Sequence, residues 1–461
     1  MVLNETARDR TALFDADSGR SLTYRALAAE VEKTRLAHNG IRPGQLLFLP
    51  IRARFEDVLL YLAALDAGCT VALLDPEQYN THGARLEAAY SPDLLVRPPT
   101  SHDPYLLEPE SAIDRRLWVR QGTDDLNADT AVLLPTSGST GSPKLVRLSS
   151  EALLANAHGI RECLAISDSD VAIANLPLHY SYGLSVLNSH LAAGATVVLT
   201  ETSVLQPEFW EIMAEHGVTT LAGVPYSYDL YRRVGLLERP LPALCTLTQA
   251  GGRMAPERIL EFQAGITARG GRMYVMYGQT EATARMSVLD PNDLPEYVGS
   301  VGTPLRDGKF EIRNAADDGT GEVIYCGPNI MLGYAETRDD LNKGDELCGV
   351  LETGDLGRLD LAGRLWIVGR TKRIAKLFGE RVSLDDVEDL LVEEGPTAVV
   401  DAGDQIILYC EWGEGERFSV VRRALARELG TNPKAFDFRR VERIPRRLNG
   451  KVAYGELRDR L

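Results

Sequence analysis

A stretch rich in hydroxyls and glycines, ending in a lysine, is the part of this sequence best suited to chemistry. It follows a short apolar run at 131–134 that is typical of a buried strand, and its residues are Thr136, Ser137, Gly138, Ser139, Thr140, Gly141, Ser142, Pro143 and Lys144. Glycines let backbone N–H groups turn towards a phosphate, hydroxyls donate to phosphate oxygens, and a lysine offsets negative charge. The spacing is neither G-x-x-x-x-G-K-[ST] nor G-x-G-x-x-G. We predict a polyphosphate-binding loop, with an ordinary Gly/Ser surface turn as the alternative.

Four further stretches carry polar groups where a buried core would not. They are Tyr277-Gly278-Gln279-Thr280-Glu281, Thr353-Gly354-Asp355, Gly369-Arg370-Thr371-Lys372 and Asn449-Gly450-Lys451. The first follows a predicted strand at 273–276, and the carboxyl ends of parallel strands are where α/β sheets bind ligands. A carboxylate such as that of Glu281 can ligate Mg²⁺ there, and the Thr280 hydroxyl can meet a phosphate.

The later stretches are weak signals when each is taken alone. Asp355 stands in a predicted tight turn and could accept hydrogen bonds from both ribose hydroxyls, but Gly-Asp turns are also common without a ligand. Lys451 lies on a predicted loop tip, where a lysine is more often a solvated charge. Only the combination of these stretches, in this order along the chain, supports a functional interpretation.

The elements that must position these residues alternate between helix and strand. Before the loop, a helix capped by Thr23 is followed by a strand at 46–49, a helix at 57–67 and a strand at 71–74. After the loop, predicted helices lie at 151–164, 182–193, 209–216 and 259–268, with predicted strands at 171–175, 196–199, 219–222 and 273–276. Repeated β–α units predict an α/β fold in which helices cover both faces of a parallel sheet.

The pattern changes in the last third of the chain. Past residue 299 the apolar runs are shorter and β-like, and Ala362-Gly363 between two alternating runs predicts a hairpin. The segment after Lys372 has strand–strand–helix–strand character and predicts a small α+β domain. The Pro-, Asp- and Ser-rich interval from about 98 to 129 predicts a long surface connection. We therefore expect a large domain at 1–371 and a small one at 372–461.

Composition excludes several classes of protein. At 461 residues, with 44% hydrophobic and 25% charged residues, the chain is typical of a globular protein with two or three domains. Its net charge of −16 argues against general binding of nucleic acid. No apolar run reaches the length of a membrane span, and the polar start is no signal peptide. Six cysteines without metal spacing favour reduced thiols and a cytoplasmic location.

The charge is unevenly distributed. Between residues 417 and 461 there are thirteen Lys or Arg against five Asp or Glu, although the whole chain is acidic. One interpretation is a solvated helix face with charged strand ends. The other is a surface for a phosphorylated or acidic partner.

The combination of motifs resembles the adenylate-forming superfamily, which comprises acyl-CoA synthetases, adenylation domains of nonribosomal peptide synthetases and firefly luciferases. The matching stretches are TSGSTGSPK, YGQTEA, TGD, the GR-x-K region and PRRLNGK, in the family's order from about residue 22 to the C-terminus. The resemblance implies a large N-terminal domain of helix-covered sheets and a small C-terminal lid that rotates between two half-reactions.

The resemblance also implies a role for each matching residue. The loop from Thr136 to Lys144 would hold the β- and γ-phosphates of ATP, and Glu281 would ligate Mg²⁺. Gly251, Gly252 and Tyr277 would line the adenine, and Thr280 would touch the α-phosphate. Asp355, with Arg370 nearby, would bind the ribose hydroxyls. Lys372 would be the hinge, and Lys451 would bridge the substrate carboxylate and the α-phosphate.

The acid pocket is less well defined. Relatives that activate amino acids usually carry an Asp in the stretch that here is Leu176-Pro177-Leu178-His179-Tyr180-Ser181-Tyr182-Gly183, which has no carboxylate. An ammonium group without a counter-ion would be costly there, so amino acids are disfavoured. Candidate pocket residues are His179, Tyr182, Gly183, Val224, Pro225, Gln249 and Met286. Aromatic residues and Met suggest an aryl or medium acyl acid, but they serve equally well as core.

These inferences predict an acid–thiol ligase that works through acyl-AMP. The acceptor would be CoA or the phosphopantetheine of a carrier protein. One alternative keeps adenylation but transfers the acyl group to an amine, or activates nitrite for diazotisation. Another is a non-catalytic nucleotide-binding protein, which the presence of Lys144, Glu281, Asp355 and Lys451 disfavours.

Overall fold

The structure is a computed structural model. It describes residues 7–38, 41–96, 105–107, 117–120, 126, 129–135, 144–370, 373–377, 380–403, 405–429, 432–446 and 450–460. The chain forms two compact units, one from Met1–Lys309 with Tyr325–Leu351, the other from Phe310–Ile324 with Glu352–Leu461. The predicted division at 371/372 stays a prediction, since residues 371 and 372 lie outside the described ranges.

The strands, in chain order, are β1 (Thr11–Asp15), β2 (Arg20–Thr23), β3 (Leu46–Pro50), β4 (Thr70–Leu74), β5 (Leu94–Leu95), β6 (Tyr105–Leu107), β7 (Trp118–Arg120), β8 (Val132–Pro135), β9 (Leu145–Leu148), β10 (Val171–Ile173), β11 (Thr196–Leu199), β12 (Thr220–Gly223), β13 (Thr246–Gln249), β14 (Arg272–Tyr277), β15 (Ser287–Leu289), β16 (Thr303–Pro304), β17 (Lys309–Arg313), β18 (Gly321–Cys326), β19 (Gly333–Ala335), β20 (Val350–Leu359), β21 (Leu365–Arg370), β22 (Ile374–Leu377), β23 (Glu380–Ser383), β24 (Thr397–Asp401), β25 (Ile406–Cys410) and β26 (Phe436–Arg440). The helices are α1 (Tyr24–Ala37), α2 (Phe55–Asp66), α3 (Pro76–Tyr90), α4 (Ser150–Cys163), α5 (Ser181–Ala193), α6 (Pro207–Glu215), α7 (Pro225–Arg233), α8 (Pro256–Thr267), α9 (Leu384–Leu390), α10 (Glu416–Glu428) and α11 (Tyr454–Arg458).

The first unit contains two large mixed sheets. One has the order β16-β15-β14-β13-β12-β10-β11-β1-β2, and its strands from β10 to β14 run parallel. The other has the order β19-β9-β8-β4-β3-β5-β7-β6, with β3, β4, β5 and β8 parallel. Strands such as β3, β4 and β12 are buried along their whole length or nearly so, as expected where helices cover both faces. The predicted α/β fold is confirmed.

The second unit is built mainly of short antiparallel strands. Strands β17, β18, β20 and β21 form one sheet, and the predicted hairpin at Ala362-Gly363 is the connection between β20 and β21. A second core lies where α9 and α10 pack on the sheet β24-β25-β26, with Val387, Leu408 and Leu425 among its buried residues. The separate small domain expected at 372–461 stays a prediction.

Several elements differ from the sequence predictions. The interval expected to be a surface connection contains β6 and β7, which extend the second sheet, while most of its other residues lie outside the described ranges. Helix α3 was not predicted, although Asp75 caps it by accepting from the backbone N–H groups of Glu77 and Gln78. Helix α7 begins at Pro225, which the sequence suggested only as a pocket wall.

The structure also bears on the cysteines and on membrane insertion. All six cysteines are free thiols, and Cys348 is exposed. None of the helices in the described ranges combines the length and the apolar character needed to cross a bilayer.

Candidate active site

The predicted ligand-binding residues of the first unit meet at one edge of its nine-stranded sheet. Strands β12, β13 and β14 are parallel neighbours, so their carboxyl ends lie side by side. Val224 follows the first of these strands, Gln249 ends the second, and Tyr277 ends the third. Gly251, Gly252, Thr280 and Glu281 continue from the same ends. This edge is where parallel sheets of this kind bind ligands.

The turn after β13 requires glycine. Gly251 has φ of +84°, and a Cβ there would lie 2.5 Å from the hydroxyl of Tyr180. The side-chain amide of Gln249 donates to the carbonyl of Gly252 over 2.8 Å and holds the turn closed. The backbone can therefore approach a flat ligand closely, which is what the predicted adenine contact requires.

The turn after β14 carries unusual backbone geometry. Thr283 and Ala284 have φ of +61° and +143°, conformations that residues with a side chain rarely adopt. The carbonyl of Ala284 lies so close to Gly278 that a Cβ could not be placed there. Such conformations persist only where the surroundings hold them, and they are common at functional sites. Here they closely follow Thr280 and Glu281 at the edge of the sheet.

Glu281 and Lys144 are linked through one phenol. The hydroxyl of Tyr334 donates to Oε1 of Glu281 over 3.0 Å, and Nζ of Lys144 lies 3.7 Å from the centroid of the Tyr334 ring. Burial raises the pKa of Tyr334, and the neighbouring Glu281 carboxylate raises it further. The phenol therefore stays a neutral donor. A carboxylate and an ammonium group are thus positioned together beside the predicted phosphate loop.

The position of Tyr334 depends on a buried arginine. Strand β19 pairs with β9, with Tyr334 opposite Val146. Arg147, on β9, is fully buried and donates to the carbonyl of Leu332 over 3.2 Å and to Oε2 of Glu346 over 2.6 Å. Buried charges are tolerated when they are paired in this way. Arg147 thus fixes the segment that carries Tyr334.

Thr280 lies against the start of helix α5. Its hydroxyl is 3.2 Å from that of Ser181, and both residues are buried. The two hydroxyls lie at a helix N-terminus, where unpaired backbone N–H groups favour an anion. The predicted contact of Thr280 with the α-phosphate has a suitable setting here.

The candidate residues of the acid pocket are mostly buried. Tyr182 is 2% exposed, and its hydroxyl donates to the carbonyl of Thr248 over 3.0 Å. Met286 is fully buried. Gly183 is explained by packing, because a Cβ there would collide with the carbonyl oxygens of Leu176 and Pro177.

His179 has a partner that the sequence did not suggest. Its Nε2 lies 3.5 Å from Oδ2 of Asp75, the residue that caps α3. Burial lowers the pKa of His179, while the Asp75 carboxylate acts in the opposite direction. The net effect favours a neutral imidazole.

In the second unit, Asp355 and Arg370 form the pair that the sequence placed together. They face each other across β20 and β21, and Nε of Arg370 donates to Oδ1 of Asp355 over 2.9 Å. Asp355 is only 2% exposed. The backbone N–H of Asp355 donates to the hydroxyl of Thr353, which orders the TGD turn. The carboxylate is thereby held in one orientation.

Lys451 lies directly before Val452, a residue of an isolated β-bridge in the second unit. Arg446 pairs with Val452, and Gly450 has φ of +76°. A guanidinium N–H of Arg446 donates to the carbonyl of Gly450 over 3.0 Å. Both neighbours of Lys451 along the chain, Gly450 and Val452, are therefore held by contacts with Arg446.

A buried cluster in the same unit was not predicted from the sequence. Arg373 donates to Asp385 over 2.5 Å and to Glu388 over 2.8 Å, and Glu388 also accepts from the hydroxyl of Tyr454.

Two of the predicted sites cannot be placed. The phosphate loop was predicted at 136–143 and the hinge at Lys372, and these residues lie outside the described ranges.

The chain matches the family model "AMP-binding enzyme" over residues 3–335. It is 31% identical to a sulfoacetate–CoA ligase of Cupriavidus necator, over 96% of this chain and 93% of that one. It is 28% identical to an oxalate–CoA ligase of Arabidopsis thaliana, over 83% and 80% of the two chains. Its fold resembles that of O-succinylbenzoate coenzyme A synthetase from Bacillus subtilis in complex with ATP and magnesium ion, with a TM-score of 0.76, 24% identity, and coverage of 98% and 97%.

These similarities define an AMP-forming ligase, and the chain belongs to the AMP-binding enzyme family. It activates an acid with ATP through an acyl-AMP and transfers the acyl group to a thiol.

The residues present fit a nucleotide-bound magnesium ion. Within the described ranges, no group of three or more His, Cys, Asp or Glu side chains is arranged to enclose a metal. A single carboxylate, Glu281, is held by Tyr334 beside Lys144. Mg²⁺ is commonly bound by one or two carboxylates together with substrate phosphates and water. Glu281 would hold the ion in this way, and the ion would offset the negative charge of the phosphates.

Proposed function

We propose that this protein joins a small carboxylic acid to CoA. The observation that carries the proposal is the Glu281–Tyr334–Lys144 cluster at the carboxyl edge of the sheet, since it gathers one carboxylate and one ammonium group where a nucleotide would bind. The two curated relatives described above are both CoA ligases, which supports CoA as the thiol. The second candidate acceptor is a carrier protein. The basic stretch at 417–461 fits CoA and a carrier protein equally well.

In the first half-reaction, an oxygen of the acid attacks the α-phosphorus of ATP. The bond from that phosphorus to the oxygen bridging to the β-phosphate breaks, and pyrophosphate leaves. Lys144 and the loop at 136–143 would bind the β- and γ-phosphates. Thr280 would hold the α-phosphate, and Lys451 would neutralise the attacking carboxylate.

The remaining nucleotide contacts are those that the family resemblance implies. Gly251, Gly252 and Tyr277 would line the adenine, and the Asp355 carboxylate, oriented by Arg370, would accept from the ribose hydroxyls. In the second half-reaction, the sulfur of CoA attacks the acyl carbon, AMP leaves, and the thiol proton passes to solvent. We propose that the segment after residue 371 moves between the two steps, with Lys372 as its hinge.

The acid itself is proposed to be small. The stretch at 176–183 lacks a carboxylate that could pair with an ammonium group, which disfavours amino acids. The aryl or medium acyl acid suggested by Tyr182 and Met286 remains a hypothesis. Sulfoacetate and oxalate, the acids of the two curated relatives, are short and carry two acidic groups. We place the reaction in the cytoplasm, in keeping with six cysteines that form no disulfide.

The test is acid-dependent ATP–pyrophosphate exchange over a panel of carboxylic acids, amino acids and nitrite, followed by AMP release with CoA. The proposal predicts exchange with a carboxylic acid and formation of its CoA thioester. Exchange only with nitrite would instead indicate an enzyme that activates nitrite for diazotisation. Capture of the adenylate only by an amine would indicate an amide ligase. A pantetheinylated carrier protein that outcompetes CoA would change the acceptor.

A further inference from the structure

Arg285 places a positive charge in the interior of the first unit. It follows the strained turn at Thr283 and Ala284, and it is 2% exposed. One terminal nitrogen donates to the hydroxyl of Ser185 over 3.1 Å, and Cζ lies 4.1 Å from the centroid of the Tyr182 ring. Its Nε is buried without a hydrogen-bond partner among the described residues.

The other buried arginines of the described ranges are paired with carboxylates. Arg147 contacts Glu346 as well as three backbone carbonyls, and Arg373 contacts Asp385 and Glu388. Arg285 has no carboxylate partner in the part of the chain that the structure describes. A buried guanidinium normally needs one, because removing the charge from water is costly.

The tyrosines around Arg285 do not supply the missing negative charge. Burial raises the pKa values of Tyr180 and Tyr182, although Arg285 acts in the opposite direction on both. Their phenols are therefore neutral at physiological pH. The face of the Tyr182 ring attracts the guanidinium, but a cation–π contact leaves the hydrogen-bonding capacity of the N–H groups unused. Burial also lowers the pKa of Arg285 itself, as expected for an uncompensated cation.

The surroundings of Arg285 are those of the proposed acid pocket. The guanidinium lies over the ring of Tyr182, a candidate pocket residue. Met286, another candidate, is the next residue in the sequence. The ring of Tyr180 lies 6.3 Å from that of Tyr182, and its hydroxyl abuts Gly251 in the predicted adenine turn. The guanidinium and the nucleotide edge are therefore linked by two aromatic side chains.

We propose that Arg285 binds a second acidic group of the substrate, so that the acid is a dicarboxylate or a sulfonated carboxylate. This inference rests on the proposed ligase function and specifies its substrate class. One acidic group is activated at the nucleotide edge, while the other is bound by the guanidinium and remains unreacted. Arginine suits this task, because its planar fork matches the oxygens of either a carboxylate or a sulfonate.

The experiment measures ATP–pyrophosphate exchange with acids paired by size. Succinate is compared with butyrate, phthalate with benzoate, and 3-sulfopropionate with butyrate. We expect the wild-type enzyme to use the member with the second acidic group with a kcat/KM higher by on the order of 10²–10⁴, the range for sites built to satisfy a buried polar group. Comparison of succinate with 3-sulfopropionate identifies which acidic group is preferred.

The variants are Arg285→Met, which keeps a similar volume without charge, and Arg285→Lys, which keeps charge without the fork. Arg285→Met should reduce the diacid-to-monoacid ratio to near unity, and Arg285→Lys should retain an intermediate ratio. The matched control is Arg306→Met, because Arg306 is an exposed arginine paired with Glu162 and should leave the ratio unchanged. The wild-type comparison tests the proposal even if Arg285→Met does not fold.

The outcomes separate this inference from the proposed function. Better use of monoacids or of nitrite by the wild type, or an unchanged ratio in Arg285→Met, would overturn the role of Arg285 and leave acid activation in place. A lack of exchange with every acid would overturn the ligase function itself, and the inference with it.

Discussion

The hydroxyl of Tyr334 donates to Glu281 while the face of the same ring lies against Lys144. Tyr334→Phe separates these two contacts, because phenylalanine keeps the ring and removes the donor. We expect the KM for MgATP to rise by roughly 10-fold, as is typical for losing a hydrogen bond to a charged group. Initial rates across a magnesium titration provide the measurement. Tyr274→Phe is the control, since its hydroxyl contacts the carbonyl of Leu164, and equal kinetics in the two variants would contradict the role of Tyr334.

Lys451→Ala tests the proposed division of labour between half-reactions. Because Lys451 would neutralise charge only during attack on the α-phosphate, adenylation should fall by at least about 100-fold, a loss comparable to removing one oxyanion donor. Thioester formation from supplied acyl-AMP should change little. Single-turnover assays of each step measure this, with Lys434→Ala as an exposed-lysine control. Equal loss in both steps would show that Lys451 serves the fold rather than adenylation.

Asp355→Ala should weaken nucleotide binding. The substitution removes the acceptor proposed for the ribose hydroxyls and leaves Arg370 without its carboxylate partner. The dissociation constant for ATP, measured by calorimetry, should rise by about 10- to 100-fold. Asp360→Ala is a matched control because Asp360 pairs with Arg364 on the same hairpin. Unchanged ATP affinity in Asp355→Ala would exclude the ribose contact.

The buried His190 predicts loss of stability in mild acid. Burial lowers its pKa in the folded state, so below the ordinary pKa of about 6.5 the unfolded chain binds a proton that the folded chain does not. Stability from this residue is complete above that pH and falls as the pH decreases towards the folded value. In His190→Asn, the free energy of unfolding should therefore depend less steeply on pH between about 6.5 and 5. Chemical denaturation at several pH values measures the slopes, and identical slopes would contradict the prediction.

Much of the fold followed from local patterns. The cap at Thr23, the buried runs of β3 and β4, and the hairpin between β20 and β21 all appear where the sequence predicted them. These features depend on spacing within about fifteen residues. The short strands β6 and β7 carry too few residues for such a signal, and only their pairing with the sheet reveals them.

The candidate site also contains some residues that local motifs revealed and others that they did not. Thr280, Glu281, Asp355 and Arg370 were predicted as site residues from short motifs, and in the structure Arg370 donates to Asp355. Tyr334, Asp75 and Arg285 were missed because each acts through a partner distant in sequence. Tyr334 lies 53 residues from Glu281, and Arg285 lies 100 residues from Ser185. The stretch at 279–290 mixes apolar, hydroxyl-bearing and charged residues, so no local pattern marked Arg285 as buried.

The Arg373–Glu388–Tyr454 cluster has a mechanical consequence. It joins the strand that begins just after the proposed hinge to the helix that begins three residues after Lys451. Glu388 also accepts from the backbone of Val399, which ties the central sheet of the same unit to the cluster. These hydrogen bonds link the segment that begins at Arg373 to the helix that follows Lys451. If the segment rotates about Lys372 as we propose, this cluster would carry that rotation to the region of Lys451, and its hydrogen bonds would help to return the lysine to the same position after each turnover.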